Sequence, residues 1–435
     1  MMGNFTKNTL ITFLTRVATA FFTVVITAVI ARVLGPEGQG IYSLAIFFPV
    51  ILLIFTDFGI NPASMFFIGQ GRYSPREVFG NNIIFNAGIS IFTIFIGIVI
   101  ILFFGWKFFP GVDKEYLFLV LPLIPLTLFF ELGCRVLLGL QKIRKYNLIS
   151  FVQGFIFLVL ILVLLLWLRF GIVAAIFAQI STFFIVTIGI FLVALRETGG
   201  VSLKFNKKYC RESFRYGIKN QLGSVFHFFH HRIDLFMLNL FINPIAVGFY
   251  YAAARLAEGV WFLSAAAGTV LFPQVASEKN EKNLKEFTPR VYRNILFINS
   301  ILVIGLFLLS KYLIVLFYSE KFLDSIRPFQ ILLIGTLAMS VCTILMNDLA
   351  ARGKPMISTY LIGFSAILNI ILNILWIPKW GIGGAAWATA VSYSLASVII
   401  IFIYGRVSGN KIRDIILFQK SDIQLYKSLL KRKKL

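Results

Sequence analysis

Acidic side chains are scarce in this chain of 435 residues: 18 Asp and Glu stand against 41 Lys and Arg, a net charge of +23. Cysteine is rarer still. Cys134, Cys210 and Cys342 lie far apart with no C-x-x-C pair, which excludes a disulfide framework and a zinc ribbon. The three histidines fall together at 227, 230 and 231. The chain lacks a phosphate-cradling P-loop, a G-x-S-x-G elbow, an H-E-x-x-H helix and any acid/base constellation outside its apolar runs. The reading is therefore not an enzyme, with no cofactor and no metal site. Without an ATP site, active transport would draw on an ion gradient, the membrane potential or the gradient of the substrate. The first apolar run reaches Arg32 without a small-x-small cleavage site, so it reads as a spanning helix and not a removed signal.

What the chain has in excess is apolar length. It is 59% hydrophobic with a mean hydropathy of +0.88, and continuous runs of about 20 residues recur throughout, each long enough to cross the ~30 Å hydrocarbon core as a helix. They do not alternate apolar with polar, which excludes a β-barrel and leaves helices to satisfy the backbone in lipid. The fold class is an all-α integral membrane protein of about twelve helices, at 9–33, 41–68, 80–104, 116–139, 146–168, 171–195, 213–241, 244–273, 290–318, 327–351, 356–377 and 381–405. Most Lys and Arg fall in the tails and even-numbered connections, which places both termini in the cytoplasm. Because the charge follows topology, no nucleic-acid partner is implied. The basic tail that ends in Lys431-Arg432-Lys433-Lys434-Leu435 either rests on anionic headgroups or is solvated.

The sequence repeats itself. Leu34-Gly35-Pro36-Glu37-Gly38-Gln39-Gly40-Ile41-Tyr42-Ser43-Leu44-Ala45 is echoed 208 residues later over 242–253, with Pro36, Gly40, Tyr42 and Ala45 on Pro244, Gly248, Tyr250 and Ala253. Phe170-Gly171 through Ala178 is echoed by Trp380-Gly381 through Ala388, and Gly139 by Gly353. Two parallel six-helix lobes follow: 1–200 as the N-lobe, 201–212 as a cytoplasmic linker, 213–405 as the C-lobe and 406–435 as the basic tail. Transporters of that plan hold substrate between the repeats.

Ionised groups inside a span cost about 2.5–3.5 kcal/mol on insertion scales and turn away from lipid. They concentrate in the first two spans of each half. Span one carries Thr12, Arg16, Thr19, Thr23 and Thr27; span two Asp57, Asn61 and Ser64; span seven Asn220, Ser224, His227, His231, Arg232 and Asp234; span eight Arg255, Glu258 and Thr269. The simplest arrangement is a wet cavity lined by these four spans. Arg255 and Glu258, at i, i+3, can equally be a local pair. The spacing of His227, His231 and Asp234 suits a titrating or hydrogen-bonding group, packing, or a partial metal site. The Thr stripe suits tight helix packing. Glu131/Arg135 and Asp348/Arg352 place acid before base at i, i+4 near the end of span four of each half, as helix-end stabilisation or as a cytoplasmic gate. Pro122, Pro125 and Pro273 could bend their spans.

The stretch from Ala31-Arg32-Val33-Leu34-Gly35-Pro36 to Gly40-Ile41-Tyr42 resembles the end of span one in polysaccharide flippases of the multidrug/oligosaccharidyl-lipid/polysaccharide (MOP) superfamily. Leu349-Ala350-Ala351-Arg352-Gly353-Lys354-Pro355, Leu368-Asn369, Leu372-Asn373 and the run from Ile377-Pro378 to Ala388-Thr389 are similar to that family's spans ten to twelve. The resemblance implies two lobes in a V around a central cavity, working by alternating access. Its implied substrate is a polyprenyl-diphosphate-linked oligosaccharide in the cytoplasmic membrane of a prokaryote. Implied partners are membrane lipids, an H+ or Na+ coupling ion, and polysaccharide polymerase or glycosyltransferase machinery. On cavity logic Arg16, Arg232 and Arg255 would hold the anionic head, with Asp57, Asn61, His227, His231, Asp234 and Glu258 balancing charge or coupling protons. A multidrug exporter, a lipid-linked peptidoglycan-precursor flippase and a non-transporting envelope scaffold stay open as alternatives.

Overall fold

The apolar runs form helices, the one spanning structure that satisfies every backbone group within its own segment. A computed structural model describes residues 2–278, 280–419 and 422, and the backbone alone of 2–10, 219, 220, 270, 273, 281 and 282. The side chains of Asn220 and Pro273 and the tail from 423 lie outside the described residues. The elements are α1 (Met2–Thr56), α2 (Ile60–Gly69), α3 (Pro75–Phe108), α4 (Lys114–Leu119), α5 (Leu123–Gly139), α6 (Ile143–Ile161), α7 (Gly171–Thr198), α8 (Lys207–Phe241), α9 (Pro244–Ala257), α10 (Trp261–Ser277), α11 (Glu281–Leu308), α12 (Ser310–Tyr318), α13 (Ile326–Ala351), α14 (Pro355–Ser408) and α15 (Ile412–Ile416). Among the described residues nine helical stretches are long and apolar enough to cross a membrane. The chain is a multi-pass membrane protein.

Two of the nine are far longer than one crossing needs. α1 has 55 residues and α14 has 54, about 80 Å each at 1.5 Å per residue. Each is broken at one glycine: Gly35 (φ 71°, ψ −177°) in α1 and Gly381 (φ 58°, ψ −135°) in α14. The stretch 34–45, expected as a connecting turn, is therefore helical except at Gly35. Pro36 follows as the first residue of the next helical segment, where it has no N–H to waste. α8 has 35 residues but is too polar to count among the nine.

The described chain forms two compact units. The first takes residues up to 228 with 235–252 and 317–322, and the second takes 229–234, 253–316 and everything from 323 on. In the first unit Phe67, Val78, Phe79, Leu132, Val136 and Tyr209 build a buried cluster where α2, α3, α5 and the start of α8 meet. In the second, Met339, Leu345, Leu349, Tyr393, Ile400 and Tyr404 lock α13 against α14.

The repeated segments meet inside the first unit. A Cβ built on Gly40 would lie 1.8 Å from the Pro244 carbonyl oxygen, and one on Gly248 would lie 1.9 Å from the Pro36 carbonyl oxygen. The two helical segments therefore cross backbone to backbone, each glycine under the other's proline, the reciprocity that a two-fold relation produces. The second echo is as regular: Gly171 and Gly381 hold φ 63° and 58° where their helices begin. The third needs a shift. Both α5 and α13 end in a left-handed residue whose successor's N–H bonds five residues back, but those residues are Gln141 (φ 58°) and Gly353 (φ 79°). Gly353 thus corresponds to Gln141, not Gly139.

Candidate functional site

Three helical elements of the second unit bring its polar side chains together: the 229–234 stretch of α8, the α9–α10 junction and α14. At that junction Glu258 opens a short 3-10 turn, Glu258–Val260. Its carboxylate accepts from Arg232 (Nη1 to Oε1, 2.8 Å) and from Arg255 (Nη1 to Oε2, 3.0 Å). Two guanidinium groups thus share one carboxylate, which leaves one positive charge in excess on the triad. Their side chains are 25% and 28% exposed, so neither cation is sealed away. The i, i+3 pair of Arg255 and Glu258 exists, and Arg232 from another helix joins it.

Beside the triad stands an aromatic wall. His230 is fully buried and stacks on Tyr393, with ring centroids 4.4 Å apart. The Tyr393 hydroxyl donates to the His230 carbonyl at 3.1 Å and lies 3.1 Å from His231 Nδ1. His231 meets Trp261 edge-on at 5.0 Å. Behind the wall Asp234 is buried. Asn373 Nδ2 donates to its Oδ1 at 2.6 Å and Thr389 Oγ1 to its Oδ2 at 2.7 Å. Asn373 also donates to Asn369 Oδ1 (2.9 Å), and Asn369 donates to Thr389 Oγ1 (3.1 Å). The buried Asn373 Oδ1 has no hydrogen-bond partner. Both carboxylate oxygens thus accept from an N–H or O–H donor, with one open amide oxygen beside them. No cluster of three or more His, Cys, Asp or Glu is found among the described residues, so His227, His231 and Asp234 do not converge as metal ligands.

The first unit carries a separate network. Asp57 follows α1 just before a tight break at Phe58 (φ 50°) and Gly59 (φ 68°). Asn61 Nδ2 reaches the Asp57 carboxylate at 3.4 Å, and Asn86 Nδ2 donates to Asn61 Oδ1 and to the Leu128 carbonyl, each at 3.1 Å. Arg16 is exposed on α1. The Thr stripe around it divides: Thr12 accepts from Asn147 of α6 at 2.8 Å, whereas Thr19 and Thr23 bond carbonyls of their own helix. His227 is exposed on α8.

The two acid–base pairs differ. Glu131 and Arg135 bond at 3.1 Å with both side chains half-buried. Asp348 is buried, pairs with Arg352 and accepts from Thr288 of α11 at 2.5 Å. Arg352 caps α13 at a position equivalent to Leu140, so the two pairs are not repeats of one another.

Residues 5–278 match the model of a family described as polysaccharide biosynthesis protein. The chain belongs to this family. Relatives of the chain include the probable low-salt glycan biosynthesis flippase Agl15 of Haloferax volcanii, 28% identical over 196 residues, 44% of this chain and 41% of that one. A putative O-antigen transporter of Shigella flexneri is 23% identical over 402 residues, 87% of this chain and 92% of that one. The chain spans less than half the length of some of the curated relatives it matches. Among solved structures, the lipid II flippase MurJ in an inward closed conformation superposes with a TM-score of 0.77 at 16% identity, over 94% of this chain and 88% of that one. The fold is that of the MOP superfamily.

The sequence pointed to Arg232, Asp234, Arg255 and Glu258 in this family member, but not to Trp261, Tyr393 or Asn86. Asn369, Asn373 and Thr389 entered as family motif residues and not as site residues. The signal for the two asparagines was present: Asn at i, i+4 within an apolar span costs too much to face lipid.

Proposed function

We propose that the chain is a flippase that moves a polyprenyl-diphosphate-linked oligosaccharide from the cytoplasmic to the outer leaflet of a prokaryotic cytoplasmic membrane by alternating access. The observation that carries this reading is the Arg232–Glu258–Arg255 triad. Its surplus positive charge, on part-exposed guanidinium groups, suits a diphosphate through charge-assisted, bidentate hydrogen bonds. A cationic drug would be repelled there. The relatives named as a glycan flippase and an O-antigen transporter point the same way. The aromatic wall of His231, Trp261 and Tyr393 offers surfaces of the kind sugars stack on.

Twelve crossings follow if α1 and α14 each cross twice and α8 once. Both termini would then share a side, and the excess of Lys and Arg there supports a cytoplasmic location. An inside-negative potential favours outward movement of the anionic head by about 2.3 kcal/mol per charge per 100 mV. The Asp234 oxygen set would hold the coupling ion, Na+ or H+, whose neutralisation of the carboxylate resets the second unit. Glycosyltransferases would supply the substrate and a polymerase would consume it.

The test is complementation of a flippase-deficient strain. Arg255→Ala and Arg232→Ala are expected to abolish transfer while membrane insertion persists. Full activity of both would remove the triad from substrate handling.

A further inference from the structure

α8 is longer than the membrane needs. Its 35 residues extend about 52 Å, well beyond a ~30 Å core. The surplus is at its start, and there its outer face changes character along the axis. Lys207, Lys208, Arg211 and Arg215 are exposed, and Phe214, Ile218 and Leu222 are exposed after them. At ~100° per residue these seven positions fall within roughly a third of the helix circumference. The opposite face is buried: Tyr209, Cys210, Ser213 and Gly217 pack inward, and Gly217 sits against the Gly59 carbonyl. One stripe thus runs from cationic to apolar, which fixes where it passes from headgroups into hydrocarbon. The segment before the helix repeats the pattern, with Leu203 and Phe205 64% and 61% exposed on either side of exposed Lys204.

This platform is held rigidly. The Ser202 amide donates to the Arg76 carbonyl at 3.1 Å. Asn206 donates its amide to Asn81 Oδ1 and its side chain to Glu77 Oε1 of α3, and its own Oδ1 caps α8 by accepting from the Lys208 and Tyr209 amides. Tyr209 donates to Asn82 at 2.9 Å. Glu212, on the same helix, lies off the stripe and is taken by Arg72 and Tyr73. None of Lys204, Lys207, Lys208, Arg211 and Arg215 has an ion pair among the described residues.

We propose that residues 203–218 form a docking surface for anionic phospholipid headgroups, with the apolar residues of the same stripe inserted among the acyl chains. Five cations without internal acids, on a face that ends in hydrocarbon, match a negatively charged bilayer surface, the partner for which an amphipathic, lysine-rich face is built. The surface is distinct from the Arg232–Glu258–Arg255 triad and does not depend on the transported substrate.

The full-length protein in mild detergent, offered phosphatidylglycerol and phosphatidylcholine in equal amounts, is expected to retain phosphatidylglycerol several-fold in excess. Replacing all five cations by Gln should bring the ratio near unity, each residue contributing up to about fivefold. Lys204→Arg with Lys207→Arg and Lys208→Arg should keep it, as should Lys311→Gln with Lys379→Gln. In nanodiscs the unaltered protein should exchange amides 207–218 more slowly in phosphatidylglycerol than in phosphatidylcholine, which tests the surface even if the Gln variant misfolds. An undiminished preference in the Gln variant, exchange indifferent to lipid charge, or loss of phosphatidylglycerol to millimolar inorganic phosphate alone would each overturn the proposal.

Discussion

A buried carboxylate needs donors or a cation, and Asp234 has Asn373 and Thr389 on its two oxygens while Asn373 Oδ1 stays unpartnered. If that oxygen and the carboxylate share a cation, Asn373→Ala should raise the ion concentration for half-maximal transport about 10–100-fold, and Asp234→Asn should make transport insensitive to the ion gradient. Vesicle uptake under imposed Na+ and H+ gradients measures both, and unchanged ion dependence in Asp234→Asn would remove the site. A second residue-scale test concerns the far end of the chain. Burial would raise the Asp422 carboxyl, but hydrogen bonds from Arg293 and the Gln419 amide, with the charges of Arg293 and Arg290, hold it below its ordinary value of 3.8. The folded value being the lower, this anchor contributes above the ordinary carboxylate pKa and is lost as pH falls through the folded one. A spin label at Phe418→Cys should stay immobilised between about pH 5 and 7 and loosen only under stronger acid; with Asp422→Asn it should be loose throughout. The sequence disclosed single charged residues in spans because each violates the cost of lipid exposure. It did not disclose which neutral partners answer them, since Tyr393 and Trp261 are unremarkable in an aromatic-rich span.

At the scale of elements, the close crossing of the two repeated segments is the feature a single methyl group would disturb most. Gly40→Ala or Gly248→Ala places a Cβ within 2 Å of a carbonyl oxygen, so the backbones must part, at about 1–3 kcal/mol or more. Gly88→Ala in α3, with nothing within 4 Å, should be neutral or slightly stabilising. Thermal unfolding in detergent should separate the two classes, and equal midpoints would contradict the crossing. The duplication was legible because Pro and Gly punctuate helices at fixed offsets. Whether the punctuation makes a loop or a kink was not: Gly-Pro fits both, and here Gly35 alone leaves the helix. The acid–base pairs were read as counterparts from their spacing, but helix-end geometry puts Gly353 against Gln141 and separates Asp348/Arg352 from Glu131/Arg135. The start of α8 was read as linker because its charge masks its helical period.

At the scale of the molecule, two readings of the fold compete on charge. The MOP fold serves flippases and multidrug exporters alike, so fold by itself does not choose between an anionic lipid head and a cationic drug. The choice rests on the sign of the charge left on the triad, which is positive by one after Glu258 is counted against Arg232 and Arg255. The most direct test is a flipping assay in proteoliposomes with a fluorescent polyprenyl-diphosphate oligosaccharide, scored by its accessibility to a membrane-impermeant quencher. The account predicts flipping by the unaltered protein, loss of it in Arg232→Ala with Arg255→Ala, competition by unlabelled polyprenyl diphosphate, and indifference to a lipophilic cation. Transport of the cation, or flipping undiminished without both arginines, would contradict it.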